Sequence, residues 1–126
     1  MKKLNYELAD AETIVATQYK DIVIVIAQGK NNTSGYKVFF EKLPFDVFPP
    51  EFNLFQIPPM ELVLNTITPF TAVTAFHSDK IRKNLLVKDR NGKQTVEVLK
   101  IKAVVWKIRI NNYAHYSFLS IIIYNY

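Results

Sequence analysis

Residues Ile22 to Ala27 read Ile-Val-Ile-Val-Ile-Ala, six apolar residues in a row, five of them branched at Cβ. Branching restricts χ1 in a helix but packs well on a pleated surface, so the run reads as a strand. It is apolar on both faces, as expected of a strand covered on both sides at the centre of a two-layer fold. Turn chemistry follows in Asn31-Asn32-Thr33-Ser34-Gly35. Tyr36-Lys37-Val38-Phe39-Phe40-Glu41 then returns as a second strand. Period two turns Tyr36, Val38 and Phe40 toward the core and leaves Lys37 and Glu41 to water.

The rest of the chain continues in strands. Tyr6–Leu8, Thr13–Thr17, Glu61–Thr66 and Phe70–Phe76 fit short ones. Asn84–Lys88 and Lys93–Val98, joined by Asp89-Arg90-Asn91-Gly92, form the clearest hairpin, because Asn-Gly accepts the positive φ of a tight turn. Leu99–Ile110 is open to two readings. Ile101, Val104, Val105 and Ile108 share a helical face, but the branched residues favour a strand. In that strand Lys100 and Lys102 have the opposite parity to Lys107 and Arg109, and a bulge near Val104-Val105 would reconcile them. Trp106 shares parity with Ile108 and Ile110 and is expected to face the core. The tail Asn111–Tyr126 carries no charge. It reads as a final strand, best at Phe118–Tyr124, or as a non-native extension. Ser120–Tyr124 is aggregation-prone if exposed, so it is expected to be buried in the fold or in a homo-oligomer interface.

Leu43 to Pro59 breaks the pattern with five prolines and the rings of Phe45, Phe48, Phe52 and Phe55. Proline removes ladder donors and fixes φ. The expectation is an extended flap at 43–59 whose rings either cover the core or offer a partner-binding surface, with no central strand. With 126 residues the chain is one domain, 1–126, able to bury roughly two-thirds of its unfolded surface. The expected fold is all-β, a single antiparallel β-sandwich of immunoglobulin-like type.

Several function classes fall away. The chain has no cysteine, and so no disulfide, thiolate nucleophile or Cys-based metal site. Its two histidines, His77 and His115, lack the spacing of a zinc site, so no metal and no cofactor is expected. His77-Ser78-Asp79 holds the residue types of a catalytic triad, but neighbours along a strand or turn cannot form its geometry among themselves. Gly29 and Gly35 frame a loop leading into a strand, not the helix N-terminus of a phosphate loop. Asp46, Glu51 and Glu61 are expected to be solvated rather than paired for acid–base work. The chain is therefore expected to be non-catalytic. No run reaches the roughly 18 apolar residues of a membrane helix. Glu7 and Asp10 interrupt any leader-like stretch, so the chain is expected to be cytoplasmic if its N-terminus is native.

Charge is unevenly placed. Residues 1–79 hold six Lys against nine Asp or Glu, a net of −3. Residues 80–109 hold ten Lys or Arg against two acids, a net of +8. Lys100, Lys102, Lys107 and Arg109 are candidates for a basic surface that attracts nucleic acid or an acidic protein. The same residues also suit the outward face of strands, where Lys discourages edge pairing.

The loop Asn31, Asn32, Thr33, Ser34, Gly35 and Tyr36 is the strongest candidate binding element. It also fits two overlapping glycosylation sequons, at Asn31 and Asn32. Asn-x-Thr-Ser-Gly-Tyr after an apolar strand resembles the Asn-Pro-Thr-Thr-Gly-Tyr loop of chagasin-like cysteine-protease inhibitors. It also resembles the Thr-Gly-Gly-Tyr loop of bacterial domains linked to protease-complex stability. Asn31, Thr33, Gly35 and Tyr36 match the first pattern, Ser34 replaces Thr and Asn32 replaces Pro. The glycine-rich second loop and the Arg-Pro-Trp-type third loop of those inhibitors have no counterpart here. The resemblance implies a small β-sandwich that binds another protein, a protease among the possibilities, through this loop. The alternatives are anion binding through 80–109 and a structural or assembly subunit held by the apolar tail.

Overall fold

A computed structural model of the chain describes residues 5–44, 49–80, 82–110 and 113–124, with side chains as far as residue 101. The described residues form nine strands and no helix: β1 (Glu7–Leu8), β2 (Ala11–Tyr19), β3 (Ile22–Asn31), β4 (Lys37–Lys42), β5 (Glu51–Ile57), β6 (Thr68–His77), β7 (Asn84–Asp89), β8 (Gly92–Ile110) and β9 (Tyr113–Tyr124). They make one sheet in the order β1-β5-β7-β8-β2-β3-β6, with β4 also on β5 and β9 also on β8. The sheet curls into a half-barrel. Its two ends meet without a ladder: Lys42 Nζ, at the end of β4, stands 5.2 Å over the ring of Phe76 on β6.

The fold is all-β, as expected, but not antiparallel throughout. β2 runs parallel to β8 from Ala16↔Val98 to Gln18↔Lys100. β5 runs parallel to β7 from Glu51↔Leu86 to Asn53↔Lys88. Side-chain period specifies which face is buried, not the direction of the neighbouring strand, so these pairings left no trace in the pattern.

The core is built by period two from every layer of the curl. Phe52 and Leu54 come from β5, Leu85 and Val87 from β7, Val96 and Val98 from β8, Ala16 from β2, Val23, Val25 and Ala27 from β3. Each large member contributes about 1.5–3 kcal/mol by leaving water. Val38 and Phe40 of β4 pack against this cluster. Phe39, of opposite parity, joins Tyr6 and Phe55 in a second aromatic group on the other face, with ring centroids 5.2 to 6.2 Å apart.

Three expectations need correction. First, Ile22–Ala27 is covered on one face, not two: Val23, Val25 and Ala27 are buried, whereas Ile22 and Ile24 are 40% and 37% exposed. On the same outer side stand Tyr19, opposite Ile22, and Val15 and Val73, both opposite Ile26, all three exposed, so this wall of the half-barrel is apolar on its outer side. Second, the proline-rich segment does hold an inner strand. β5 occupies 51–57, between Pro50 and Pro58, where no proline interrupts the ladder. The prolines bracket that strand instead of forbidding it. Residues 45–48, with Phe45 and Phe48, lie outside those described. Third, 61–66 is irregular loop, not strand.

The hairpin of β7 and β8 forms as read, with Asp89 opposite Gly92. Asp89 is fully buried and its carboxylate accepts from the backbone N–H of Ala11 and Asn91, at 3.3 and 2.9 Å, and from Gln94 Nε2 at 3.0 Å. Leu99–Ile110 continues as strand, so β8 is one element of 19 residues.

Candidate functional site

The loop after β3 is short and braced. Asn31 closes β3 opposite Thr68. Asn32 is exposed, and Asn31, Thr33, Ser34 and Tyr36 are half-buried. The Ser34 N–H donates to the Leu64 carbonyl at 3.1 Å, and Ser34 Oγ accepts from the Leu64 N–H at 3.1 Å. Gly35 has φ of 89°, open to glycine and rarely adopted by other residues. A Cβ there would lie 2.8 Å from both Pro59 Cβ and Val63 Cγ1. The loop is therefore clamped against residues 58–64.

That segment is unusually apolar on its outside. Met60, Leu62 and Leu64 are 78%, 104% and 73% exposed, and Ile67 just beyond them is 66% exposed. A groove of about 540 Å³ runs between it and the loop, lined by Gly35, Lys37, Ile57, Pro59, Met60 and Val63. The spacing of Leu62 and Leu64 resembled a strand with one buried face, and so concealed that both side chains point to water. The Pro58-Pro59 pair just before them was the available warning that the ladder stops at Ile57.

Of the four proposed basic residues, Lys100 alone has a described side chain. Lys102, Lys107 and Arg109 stand on β8 opposite Ile122, Tyr116 and Ala114. Their side chains, like those of Trp106 and the whole of β9, lie outside those described. The expected irregularity is present, between Trp106 and Lys107 rather than at Val104-Val105. Lys100 turns inward. Its ammonium donates to Gln18 Oε1 at 2.8 Å and to the Arg82 carbonyl. Burial holds its pKa below the ordinary lysine value.

Gln18 was not singled out by sequence, yet it is the hub of this corner. It is 2% exposed. Its Oε1 also accepts from the Arg82 N–H at 2.9 Å, and its Nε2 donates to the carbonyls of Lys20 and Lys80 at 3.1 and 3.0 Å. All four hydrogen-bonding positions of the amide are used. A Gln at a core-parity position of a strand was the signal that a polar network must lie there.

The triad-type residues do not converge. His77 Nε2 lies 2.8 Å from Asp21 Oδ2, and both side chains are more than half exposed. Ser78 is buried, and its hydroxyl donates to the Lys80 carbonyl and accepts from Arg82 Nε. Of the acids near the prolines, Glu51 pairs with the Lys93 ammonium, Glu61 is exposed, and Asp46 lies outside the described residues. Among the described residues no group of three His, Asp or Glu could hold a metal ion. No helix among them is long and apolar enough to cross a membrane. No protein-family model, curated protein or solved structure matches the chain.

Proposed function

We propose that the chain is a non-catalytic protein-binding module that presents Asn31 to Tyr36 as a pre-ordered loop. The observation that carries this reading is the clamp on the loop: two hydrogen bonds between Ser34 and Leu64, and Gly35 seated against Pro59 and Val63. A loop ordered before association loses less entropy on binding. Beside it, Met60, Leu62 and Leu64 supply exposed apolar area for an interface centre, with Asn31, Asn32 and Thr33 as a polar rim. The inhibitor-like form, with a protease cleft as target, rests on the match at Asn31, Thr33, Gly35 and Tyr36. The immunoglobulin-like sandwich belongs to the same proposal and is supported by ring packing of β5 on β6 across the curl.

The test compares wild type with Thr33→Arg/Gly35→Val and with Leu62→Asp for inhibition of a papain-type cysteine protease and for partner capture from lysate. Thr33→Arg/Gly35→Val and Leu62→Asp are expected to lose the same specific partner while remaining folded. If every interaction survives in both, the loop is ordinary turn structure.

A second reading, an assembly subunit, is supported by the apolar outer face at Ile22, Ile24 and Val73 and by the β8–β9 ribbon, in which β9 is laddered, among the described strands, to β8 alone. A two-stranded ribbon by itself is marginal in water. Light scattering of the full chain, of Val73→Lys and of a chain lacking Asn111–Tyr126 decides it: the same number of chains per particle for all three removes the assembly role.

A further inference from the structure

The corner around Gln18 encloses a cleft of about 440 Å³ between the β2–β3 turn, the residues leading into β7, and β8. Four cationic residues line it: Lys20, Arg82, Lys83 and Lys100. Among the described residues, no carboxylate does. Val98 and Ile101 supply an apolar wall. We propose that this cleft binds a small organic phosphate.

Lys100 lies at the centre of this cleft's chemistry. Its ammonium is partly withdrawn from water, yet among the described residues its hydrogen-bond partners are an amide oxygen and a backbone carbonyl, both neutral. A cation drawn from water without a counter-charge is held at a cost, and an anion in the cleft removes that cost. Gln18 and the Arg82 backbone fix where the ammonium sits, so the charge is positioned before any ligand arrives. Arg82 is itself steadied by Ser78, whose Oγ accepts from its Nε at 2.8 Å. Lys20 and Lys83 stand exposed at the rim, and among the described residues neither pairs with a carboxylate.

The chemistry of the lining selects the class. Several convergent cations match a dianion better than a single carboxylate, and lysine binds phosphate as a point charge. The wall of Val98 and Ile101 has nothing to offer a bare inorganic ion but suits a hydrocarbon or ring attached to it. The volume lies in the range of small-ligand sites. β3 spans ten residues, roughly 30 Å at strand rise, and the cleft and the Asn31–Tyr36 loop lie at its opposite ends. The two proposals therefore stand or fall separately.

Titration calorimetry of the full chain tests this with three probes: phenyl phosphate, inorganic phosphate and benzoate. Saturable binding is expected for phenyl phosphate, tighter than for inorganic phosphate and far tighter than for benzoate. Lys83→Glu, an exposed rim change, is expected to keep the melting temperature and weaken phenyl phosphate binding by about tenfold or more. Lys30→Glu, an equal charge change on β3 outside the cleft lining, is expected to leave it unchanged. Absence of saturable binding up to about 10 mM overturns the site. Equal losses in Lys30→Glu and Lys83→Glu reduce it to a net-charge effect and overturn it as well. Benzoate binding as tightly as phenyl phosphate overturns the assignment to phosphate.

Discussion

The ring of Phe52 on β5 and that of Phe76 on β6 lie 5.5 Å apart inside the half-barrel, tilted by 41°. They belong to the two sides of the curl, so their contact reports its closure. Phe52 is 1% exposed, and Phe76 is half-buried. Phe52→Ala is expected to cost about 3–5 kcal/mol and Phe76→Ala less. A double-mutant cycle in urea is expected to give a coupling of about 0.5–1.5 kcal/mol. Strict additivity would mean that the ends of the sheet do not hold each other.

Asp89 is a buried carboxylate whose visible partners are donors from Ala11, Asn91 and Gln94. Asp89→Ala strands those donors and is expected to lower stability by about 3 kcal/mol, with Asp89→Asn recovering part of it. A midpoint shift below about 0.5 kcal/mol for the alanine variant would show that the hairpin turn holds without the carboxylate.

Gly29 and Gly92 are required for different reasons. A Cβ on Gly29 meets the Asp10 carbonyl oxygen at 2.6 Å and the Phe70 ring at 2.7 Å. Gly92 has open space around it but a φ of 107°. Gly29→Ala is expected to cost about 1–3 kcal/mol and to shift the Phe70 ring resonances. Gly92→Ala is expected to cost about 1–3 kcal/mol through its backbone and to leave Phe70 untouched. An unchanged Phe70 spectrum in Gly29→Ala contradicts the close approach.

Lys100 gives a pH signature. Burial sets its folded pKa below the ordinary 10.5. Between the folded value and 10.5 the unfolded chain binds the proton more tightly, so stability rises with pH across that window; below it the penalty is constant. Wild type is expected to gain stability relative to Lys100→Met as pH is raised toward 10.5. A difference between the two that stays flat with pH refutes the desolvation.

Local chemistry made some of this structure legible and left the rest hidden. The Asn-Gly turn announced the β7–β8 hairpin, and alternation placed Val38 and Phe40 on the core. The Asn31–Tyr36 loop stood out because its polar residues follow an apolar run. Its brace did not, since contact with Pro59, Val63 and Leu64 depends on where a later segment returns. The prolines at 49, 50, 58 and 59 obscured β5 because their meaning depends on whether they sit inside a strand or at its ends. The double-sided apolar character of Ile22–Ala27 implied a second covering layer, whereas a half-barrel wall leaves Ile22 and Ile24 outside. Gln18 and Lys100 meet because β2 and β8 pair in parallel, a long-range pairing that no local pattern encodes.

The length of β8 carries a kinetic consequence. Among the described strands it alone is laddered both to β7, which leads to β5 and β4, and to β2, which leads to β3 and β6. Ala16 finds its partner 82 positions along the chain, at Val98. Such non-local pairing requires loop closure before it is rewarded, and folding slows accordingly. On the ribosome, β2, β3 and β6 emerge and must wait for β8 with their inner faces open. The interval between synthesis of His77 and of Lys100 is thus the time when this chain is most exposed to aggregation and most dependent on chaperones.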